Sequence, residues 1–301
     1  MSHPPTADLL KQVFPTARVS RLDYLRWLYD ESPFGPVIET NLDDAEGRAG
    51  HYALVPIDLS VDRTIVRAGL SVNTAVHERA RGGGVFVRLA SETFEQARAN
   101  ELHHVVGVAN ANSTPGFVRR LGFELVMPLP ATVLVPLPGR PRALRSGPAT
   151  PDAFRDGGLA ANAEDLLAPP SRGIGRVWTT ETLRWRLAAP GSRYALHRSE
   201  EMLAVTTVDA RRAVRVAVIL AVFAAHTLDA ASLRALVRTV CRYHRAPVAL
   251  HVGVNERASF AGIPLPKRLR ESPLNLIHRN LVGAGRPGPF ARFEFLDFDA
   301  Y

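Results

Sequence analysis

The residues best suited to do chemistry form the run Arg79-Ala80-Arg81-Gly82-Gly83-Gly84. Three consecutive glycines let the backbone turn tightly and approach a ligand with no Cβ in the way. The run lies between a predicted strand, 70–76, and a predicted helix that starts at Val85, whose free N–H groups and dipole suit a phosphate. Arg79 and Arg81 would add charge-assisted donors. The segment therefore predicts a pyrophosphate cradle, with a simple strand-to-helix turn as the alternative.

This loop lacks the spacing of two familiar phosphate-binding motifs. No Gly-Lys-Ser or Gly-Lys-Thr follows it, so it is not a Walker loop. The Gly-x-Gly-x-x-Gly spacing of the dinucleotide fingerprint is also missing. The prediction of phosphate binding therefore depends on local geometry and not on either motif.

The composition is that of a folded protein without disulfide bonds. Of its 301 residues 46 % are hydrophobic and 22 % charged, which allows a substantial core and excludes a disordered protein. The one cysteine, Cys241, excludes a disulfide framework and a thiolate metal cluster. We find no secretory signal, and the longest apolar run, 216–225, is about half of the ~20 residues that a membrane helix needs. We therefore expect a soluble, cytoplasmic protein that does not enter a membrane.

The charge balance is basic. The net charge is +8, and Lys11 and Lys267 are the only lysines among 37 basic residues. The arginines are scattered, which favours a mildly basic surface without a polyanionic partner. An anionic ligand, a phosphorylated cofactor or RNA is the alternative, and charge alone does not decide.

The sequence divides into two halves that echo each other. A proline-rich stretch begins at Pro128, and its part from 138 to 151 resembles an exposed linker. Leu25-Arg26-Trp27 before it has a counterpart in Leu183-Arg184-Trp185 after it. We therefore predict a first domain over 1–137, a linker over 138–151 and a second domain over 152–301.

Each half also contains a predicted strand–helix–strand unit. The first helix starts at Val85 and runs to about Asn100, with apolar residues at helical spacing. The second is capped by Asp229 or Ser232 and ends before Pro247. The flanking strands are predicted at 70–76 and 104–109 in the first half, and at 213–225 and 248–254 in the second. The matching order supports an internal duplication.

Two motifs in the first half resemble those of the GNAT superfamily of acyl-CoA N-acyltransferases. Arg79-x-x-Gly82-x-Gly84 matches the family's phosphate-loop pattern. Val108-Ala-Asn110-Ala-Asn112-Ser113, followed by Leu121-Gly122-Phe123, looks like its second signature in order and spacing. The resemblance implies a mixed α/β (α+β) fold with tandem GNAT-like halves, each a mixed, mainly antiparallel twisted sheet flanked by helices.

A subgroup with two GNAT-like halves resembles this chain at further positions. These are Trp27 with Pro33-Phe34-Gly35, Gly50-His51-Tyr52 before Pro56, and Trp185-Arg186 with Tyr194. The clear match covers about residues 20–130, and from 170 onward it is faint. Because the second half has Ala224-Ala225-His226-Thr227 in place of the glycines, we expect one CoA site per chain and a second half that is scaffold and acceptor-binding wall.

The resemblance also implies which residues contact the acyl-CoA. The pantetheine arm would insert between the strands at 70–76 and 104–109, and the backbone near Val76 would polarise the thioester carbonyl. The residues expected to contact acetyl-CoA, or another acyl-CoA, are Val76, His77, Arg79, Ala80, Arg81, Gly82, Gly83, Gly84, Val85, Asn110, Asn112, Ser113 and Phe117. No metal is expected, since the adjacent His103 and His104 point to opposite faces of a strand.

The catalytic groups are less defined. Many GNAT members have a tyrosine as general acid in the helix before the Leu-Gly-Phe, where this chain has Phe117 and Val118. Ser113 or a water would take that role, or the thiolate would leave unaided, since the pKa of a thiol is near ~8.5. His51 and Asn73 are the first candidates for general base by position, followed by His77 and the pair His103-His104, with a structural or surface histidine as the alternative. The acceptor would contact Trp27, Tyr29, Trp185 and Tyr194, although both tryptophans could equally be core anchors.

The sequence therefore predicts an acyl-CoA-dependent N-acyltransferase. The expected reaction transfers acetyl from acetyl-CoA to a primary amine of a small molecule, such as an aminosugar or a natural-product amine, by direct attack in a ternary complex. One alternative is a tandem GNAT transferase that uses aminoacyl-tRNA, which the 35 arginines would suit. Another is a non-catalytic acyl-CoA-binding protein. The expected state is a monomer or homodimer.

Overall fold

The structure is a computed structural model that describes residues 3–15, 18–139, 142–211, 214–266, 272–283 and 288–298. Within these ranges the α-helices are α1 (Pro4–Val13), α2 (Leu22–Tyr29), α3 (Val85–Ala99), α4 (Thr114–Leu121), α5 (Glu164–Leu167), α6 (Thr180–Leu187) and α7 (Ala230–His244). The strands are β1 (Ile38–Asp44), β2 (Gly47–Val61), β3 (Thr64–Val76), β4 (His104–Ala109), β5 (Glu124–Pro128), β6 (Ala131–Leu134), β7 (Arg145–Pro148), β8 (Ile174–Arg176), β9 (Ala195–Arg198), β10 (Met202–Arg211), β11 (Val214–Ala224), β12 (Val248–Asn255), β13 (Ile263–Pro264), β14 (Asn275–Asn280) and β15 (Phe290–Glu294). None of the described helices is both long and apolar enough to cross a bilayer.

Contacts within the chain define two compact units. Unit 1 comprises Met1–Leu59, Thr64–Pro128 and Ser272–Pro287, and unit 2 comprises Ser60–Arg63, Leu129–Glu271 and Gly288–Tyr301. These bounds differ from the domains expected at 1–137 and 152–301, because each unit includes a strand from the opposite half of the sequence. Strand β14 belongs to unit 1 and strand β6 belongs to unit 2.

Unit 1 is built on a sheet with the strand order β1-β2-β3-β4-β14-β5. β3 and β4 run parallel, whereas β14 runs antiparallel to both β4 and β5. Helix α3 packs its apolar stripe, including Leu89 and Phe94, against Tyr52 and Leu54 of β2. The apolar residues whose spacing predicts this helix therefore form the face that it buries.

Unit 2 repeats this architecture in the order β7-β9-β10-β11-β12. β11 and β12 run parallel, and β10 is antiparallel to both of its neighbours. Helix α7 buries Leu236 and Val240 in the core of the unit, and its cap is Asp229, whose Oδ1 accepts the Ser232 N–H at 2.7 Å. The β3-α3-β4 and β11-α7-β12 units confirm the predicted duplication of the fold.

The predicted linker contains a strand. β7 pairs with β9 from Arg145 opposite Arg198 to Pro148 opposite Ala195. Proline has no backbone N–H to donate, and an edge strand tolerates this loss. The prolines that predict a linker are therefore compatible with the edge strand β7. Residues 140 and 141 of the expected linker lie outside the described residues.

Candidate functional site

The glycine loop after β3 is open. Gly82, Gly83 and Gly84 have φ angles of +94°, +54° and +74°, the left-handed region that glycine adopts without strain. A Cβ added at any of the three would have no atom within 4 Å. The loop therefore forms an exposed cradle in which a ligand could lie directly against the backbone.

Helix α3 begins in this loop without a capping side chain. Gly84 is its N-cap residue, the Val85 N–H donates to Gly82 O at 3.3 Å, and the Arg88 N–H donates to Gly84 O at 2.9 Å. Among the described residues no acceptor faces the N–H groups of Gly83, Gly84, Phe86 or Val87. Free N–H groups at the positive end of a helix dipole are a ready anion site.

The two arginines of the loop already have partners. Nε of Arg79 donates to Asp44 Oδ2 at 2.9 Å, and an Nη of Arg79 donates to Asp44 Oδ1 at 3.0 Å, which raises the pKa of Arg79. Nε of Arg81 donates to Val76 O at 3.3 Å, and His77 Nδ1 accepts the Arg79 N–H. Anion binding in this loop therefore depends first on the backbone and only second on these side chains.

Strands β3 and β4 part before either ends. They pair from Ala68 opposite His104 to Ser71 opposite Gly107, after which β3 continues to Val76. Two residues beyond the last pair, Asn73 has a φ of +52°, an uncommon left-handed conformation inside a strand. The parting opens an unpaired strand edge that leads directly into the glycine loop.

A chain of polar side chains reaches Asn73 from the interior. Nδ2 of Asn73 donates to the Tyr29 hydroxyl at 3.0 Å, and that hydroxyl is 2.9 Å from Nε2 of His51. Nδ1 of His51 is 2.7 Å from Oδ1 of Asn41. Tyr29 and His51 are both fully buried, and burial lowers the pKa of His51 to about 3. Three candidates named separately from the sequence, Tyr29, His51 and Asn73, therefore form one network.

The comparisons with known proteins agree with this geometry. Residues 6–126 match the family model of the acetyltransferase (GNAT) domain, a range that contains the glycine loop, the parting strands and the polar network. The first part of the chain is a GNAT domain. The expected family is confirmed, whereas no curated protein matches the sequence at a significant level.

Solved structures extend the likeness over both halves of the chain. A GCN5-related N-acetyltransferase from Kribbella flavida is 17 % identical over 92 % of this chain and 68 % of that chain, with a TM-score of 0.61. N-myristoyltransferase from Saccharomyces cerevisiae with bound myristoyl-CoA is 11 % identical over 91 % and 78 %, with a TM-score of 0.55. A tandem GNAT protein from the clavulanic acid biosynthesis pathway is 10 % identical over 93 % and 95 %, with a TM-score of 0.55. At these identities the likeness establishes the tandem GNAT fold.

The second GNAT signature forms a tight turn after β4. The Asn110 side chain accepts from the N–H groups of Asn112 and Ser113 at 3.0 and 2.9 Å, and also from the Ser113 hydroxyl at 3.0 Å. Such short polar side chains stabilise a turn by bonding their own backbone. To contact acyl-CoA as expected, Oδ1 of Asn110 and the Ser113 hydroxyl would have to exchange these local bonds, whereas the side chain of Asn112 takes part in none of them.

Other expected contact residues of the GNAT domain lie in its core. Phe117 is 7 % exposed and packs edge-on against Phe86 and Phe123. Trp27 is 3 % exposed, with the Tyr24 ring 5.1 Å away. The structure therefore favours the core-anchor interpretation of Trp27. It also favours a role for Phe117 in supporting helix α3, which carries Phe86.

The remaining expected contacts divide between the loop and unit 2. Val76, His77, Ala80 and Val85 are half-buried along the strand–loop–helix connection. Trp185 and Tyr194 belong to unit 2, where Tyr194 is buried and its hydroxyl accepts from Arg186 at 2.8 Å. Their assignment to acceptor binding stays a prediction.

Sequence reasoning missed Asn41 and Glu39, which share one face of β1. Asn41 lies opposite His51 in the β1–β2 register, and Glu39 Oε2 is 3.6 Å from His51 Nδ1. That carboxylate oxygen is buried and has no hydrogen-bond partner among the described residues. The signal that could have found them is the alternation Glu39-x-Asn41 on a strand paired with the one that carries His51.

The sequence also gave no sign of the partner of His104. Nδ1 of His104 is 3.0 Å from Nε2 of His278 on β14, where His278 is buried. Burial lowers the pKa of both rings, that of His278 to about 4. Among the described residues no group of three or more His, Cys, Asp or Glu could hold a metal ion.

Proposed function

We propose that this protein is an acyl-CoA-dependent N-acyltransferase that transfers an acyl group, most simply acetyl, to a primary amine of a small molecule. One observation carries the proposal: a strand that parts from its parallel neighbour leads into an open triple-glycine loop at an uncapped helix N-terminus. In this arrangement, unpaired backbone N–H groups would lie along one continuous path. A long ligand with a thioester at one end and phosphates at the other requires such a path.

The residues of the GNAT domain have distinct roles in this proposal. The N–H groups of Gly83, Gly84, Phe86 and Val87 hold the pyrophosphate, and the open cradle accepts it without steric hindrance. The acyl-CoA supplies an activated acyl thioester. The backbone between Asn73 and Val76 polarises its carbonyl in the manner of an oxyanion hole.

Proton transfer does not use His51 as a direct base in this proposal. The His51 side chain is fully buried, and its pKa near 3 leaves it too weak a base to deprotonate an ammonium group. We infer that a water takes the proton of the attacking amine. The thiolate leaves unaided, because the Ser113 hydroxyl is engaged with Asn110 and a thiol has a pKa of about 8.5.

We further propose one acyl-CoA site per chain. Two carboxylates lie at the N-terminus of α7, the helix of unit 2 that corresponds to α3: Asp229 accepts the Ser232 N–H, and Glu201 accepts the Ser232 hydroxyl. Both carboxylates also pair with Arg142, and Asp229 already caps the helix end that a phosphate would need. Unit 2 is therefore proposed as scaffold and acceptor-binding wall.

Thermal unfolding with and without acetyl-CoA tests the site. At about 100 times its Kd the ligand should stabilise the wild type by about 2.7 kcal/mol, a shift of several degrees. Gly83→Asp should abolish the shift, whereas Gly83→Asn, which has the same shape and also tolerates a positive φ, should retain part of it. No shift in the wild type, or equal shifts in both variants, would contradict a phosphate cradle at this loop.

Release of free thiol from acetyl-CoA tests turnover. A panel of primary amines would contain glucosamine, lysine and a simple alkylamine, with N-acetylglucosamine as the control without an amine. Thiol release that requires the amine supports the transferase. Tight binding of acetyl-CoA without turnover on any amine would favour the alternative of an acyl-CoA-binding protein, which the buried His51 and the engaged Ser113 would also fit.

A further inference from the structure

The hydrogen-bond chain from Asn73 to Asn41 has a fixed direction. Oδ1 of Asn41 can only accept, so His51 donates to it from Nδ1. The neutral ring then has its lone pair on Nε2, which accepts from the Tyr29 hydroxyl, and the Tyr29 oxygen accepts from the Asn73 amide nitrogen. No proton has to move for the chain to persist.

Burial keeps His51 neutral, and its charged neighbours act in both directions. Burial is the main cause of its lowered pKa, and the positive charges of Arg48 and His3 lower it further. The carboxylate of Glu39, 3.6 Å from Nδ1, acts in the opposite direction, since a negative charge favours the protonated ring. Asp30 is 3.0 Å from Nε2 of His3. With a pKa near 3, the ring stays an acceptor for Tyr29 throughout the neutral range.

Asn73 is the point where this chain meets the candidate site. Its left-handed φ of +52° lies two residues beyond Ser71, at which pairing with β4 ends. A left-handed residue bends a strand and interrupts its ladder, at a cost that the surrounding structure must offset. The bond from Nδ2 of Asn73 to buried Tyr29 is the contact that holds its side chain.

We propose that Tyr29, His51 and Asn41 are positioning residues, which hold Asn73 in its left-handed conformation and thereby fix the opening between β3 and β4. The proposal rests on the proposed function, since it assigns that opening to the reacting thioester. The competing interpretation of the same atoms is a proton relay, in which a proton passes from the site through Tyr29 to His51.

A double-mutant cycle between Tyr29→Phe and Asn73→Gly separates these interpretations. Tyr29→Phe removes one hydroxyl and should lower kcat by about tenfold, with little change in the KM for acetyl-CoA. Glycine adopts the left-handed conformation without a side-chain bond, so in the Asn73→Gly background Tyr29→Phe should cost less than about twofold. A relay would lose the same factor in both backgrounds, and that result would overturn the proposal.

Hydrogen exchange gives a second readout that does not depend on catalysis. Tyr29→Phe should speed exchange of the amides from Val72 to Val76 by about tenfold, because the bend is held less firmly. Tyr24→Phe, at a fully buried tyrosine on the same helix, controls for the loss of a buried hydroxyl. Unchanged exchange in Tyr29→Phe would overturn the proposal even if the protein proved inactive on every amine.

Asn41→Ala provides the same test from the far end of the chain. Because Glu39 Oε2 lies 3.6 Å from Nδ1 of His51 and could replace the lost acceptor, the change is made together with Glu39→Ala. The proton can then move to Nε2, which no longer accepts from Tyr29. The expected result is faster exchange over the same segment, reversed when Asn41→Asp replaces Asn41→Ala and restores an acceptor. If the double variant matches the wild type, the network does not hold Asn73.

Discussion

The two strand–helix–strand units of this chain differ at the place where their parallel strands part. In unit 1, pairing ends at Ser71 and Gly107, and Asn73 lies two residues further along β3 in a left-handed conformation. In unit 2, pairing ends at Ile219 and His251, and the gap beyond holds the side chain of Glu294.

Glu294 closes the gap of unit 2 with three hydrogen bonds. Its carboxylate accepts from His251 Nε2 at 2.8 Å, from Asn255 Nδ2 at 3.0 Å and from the Val222 N–H at 3.2 Å. The residue is fully buried, and β15, which carries it, pairs with β12 from Gly253 onward. The chain itself thus satisfies donors on both strands of this gap.

The helix N-termini differ in the same sense. α3 starts from glycines without a capping side chain, whereas α7 is capped by Asp229, which also accepts from Arg142 at 2.9 Å. One fold can therefore be either a ligand site or a closed scaffold. The choice depends on which group, a ligand or a carboxylate of the chain, meets the free backbone donors.

The largest expected effect is at Glu294. Glu294→Ala removes the acceptor of three buried hydrogen bonds, so we expect it to lower the free energy of unfolding by about 3 kcal/mol or more. Urea unfolding would measure this, with Glu200→Ala, at an exposed carboxylate, as the control. Calorimetry should still give one acetyl-CoA per chain. A stable Glu294→Ala protein that binds a second equivalent of acetyl-CoA would show that the two gaps differ only in the Glu294 side chain.

The buried histidines predict acid sensitivity in both units. Burial lowers the pKa of His51 in unit 1 and of His197 in unit 2 to about 3, below the ordinary value of 6.5. The unfolded chain therefore binds more protons between these values, and stability present above pH 6.5 is lost as the pH falls toward 3. Each histidine should contribute a slope of about 1.4 kcal/mol per pH unit to the free energy of unfolding.

Removing one histidine should flatten that dependence. In His51→Gln and in His197→Gln, urea unfolding between pH 5.5 and 3.5, a range of about two units, should show a slope smaller by about 1.4 kcal/mol per pH unit. A slope equal to that of the wild type in His51→Gln would mean that this ring is protonated in the folded protein. It would also contradict the fixed hydrogen-bond direction inferred for unit 1.

The smallest expected effect concerns the ion pair beside the glycine loop. Asp44→Asn should release Arg79 toward a bound phosphate and tighten acetyl-CoA binding by about threefold, since exposed pairs contribute little. Asp43→Asn, which affects the partner of Arg48 instead, is the matched control. Weaker binding in Asp44→Asn would show that this pair orders the loop for its ligand.

The elements that carry the site could be read from the sequence because their signals are local. The glycines at 82–84, the apolar spacing of α3 and the cap of α7 each depend on a few neighbouring residues. His51, Asn73 and Tyr29 were also selected from the sequence. Their grouping was not, because it depends on the register of β1 on β2 and on the packing of α2.

By itself, the sequence determined the glycine loop, its flanking strand and helix, and the duplicated order of elements, since these follow from backbone freedom and hydrophobic period. The tertiary structure alone decided that β14 completes the sheet of unit 1, that β6 joins unit 2, and that Glu294 closes the second gap. These contacts join residues far apart in the chain. No local pattern specifies them, because a strand's pairing partner is selected by register and burial within the folded sheet.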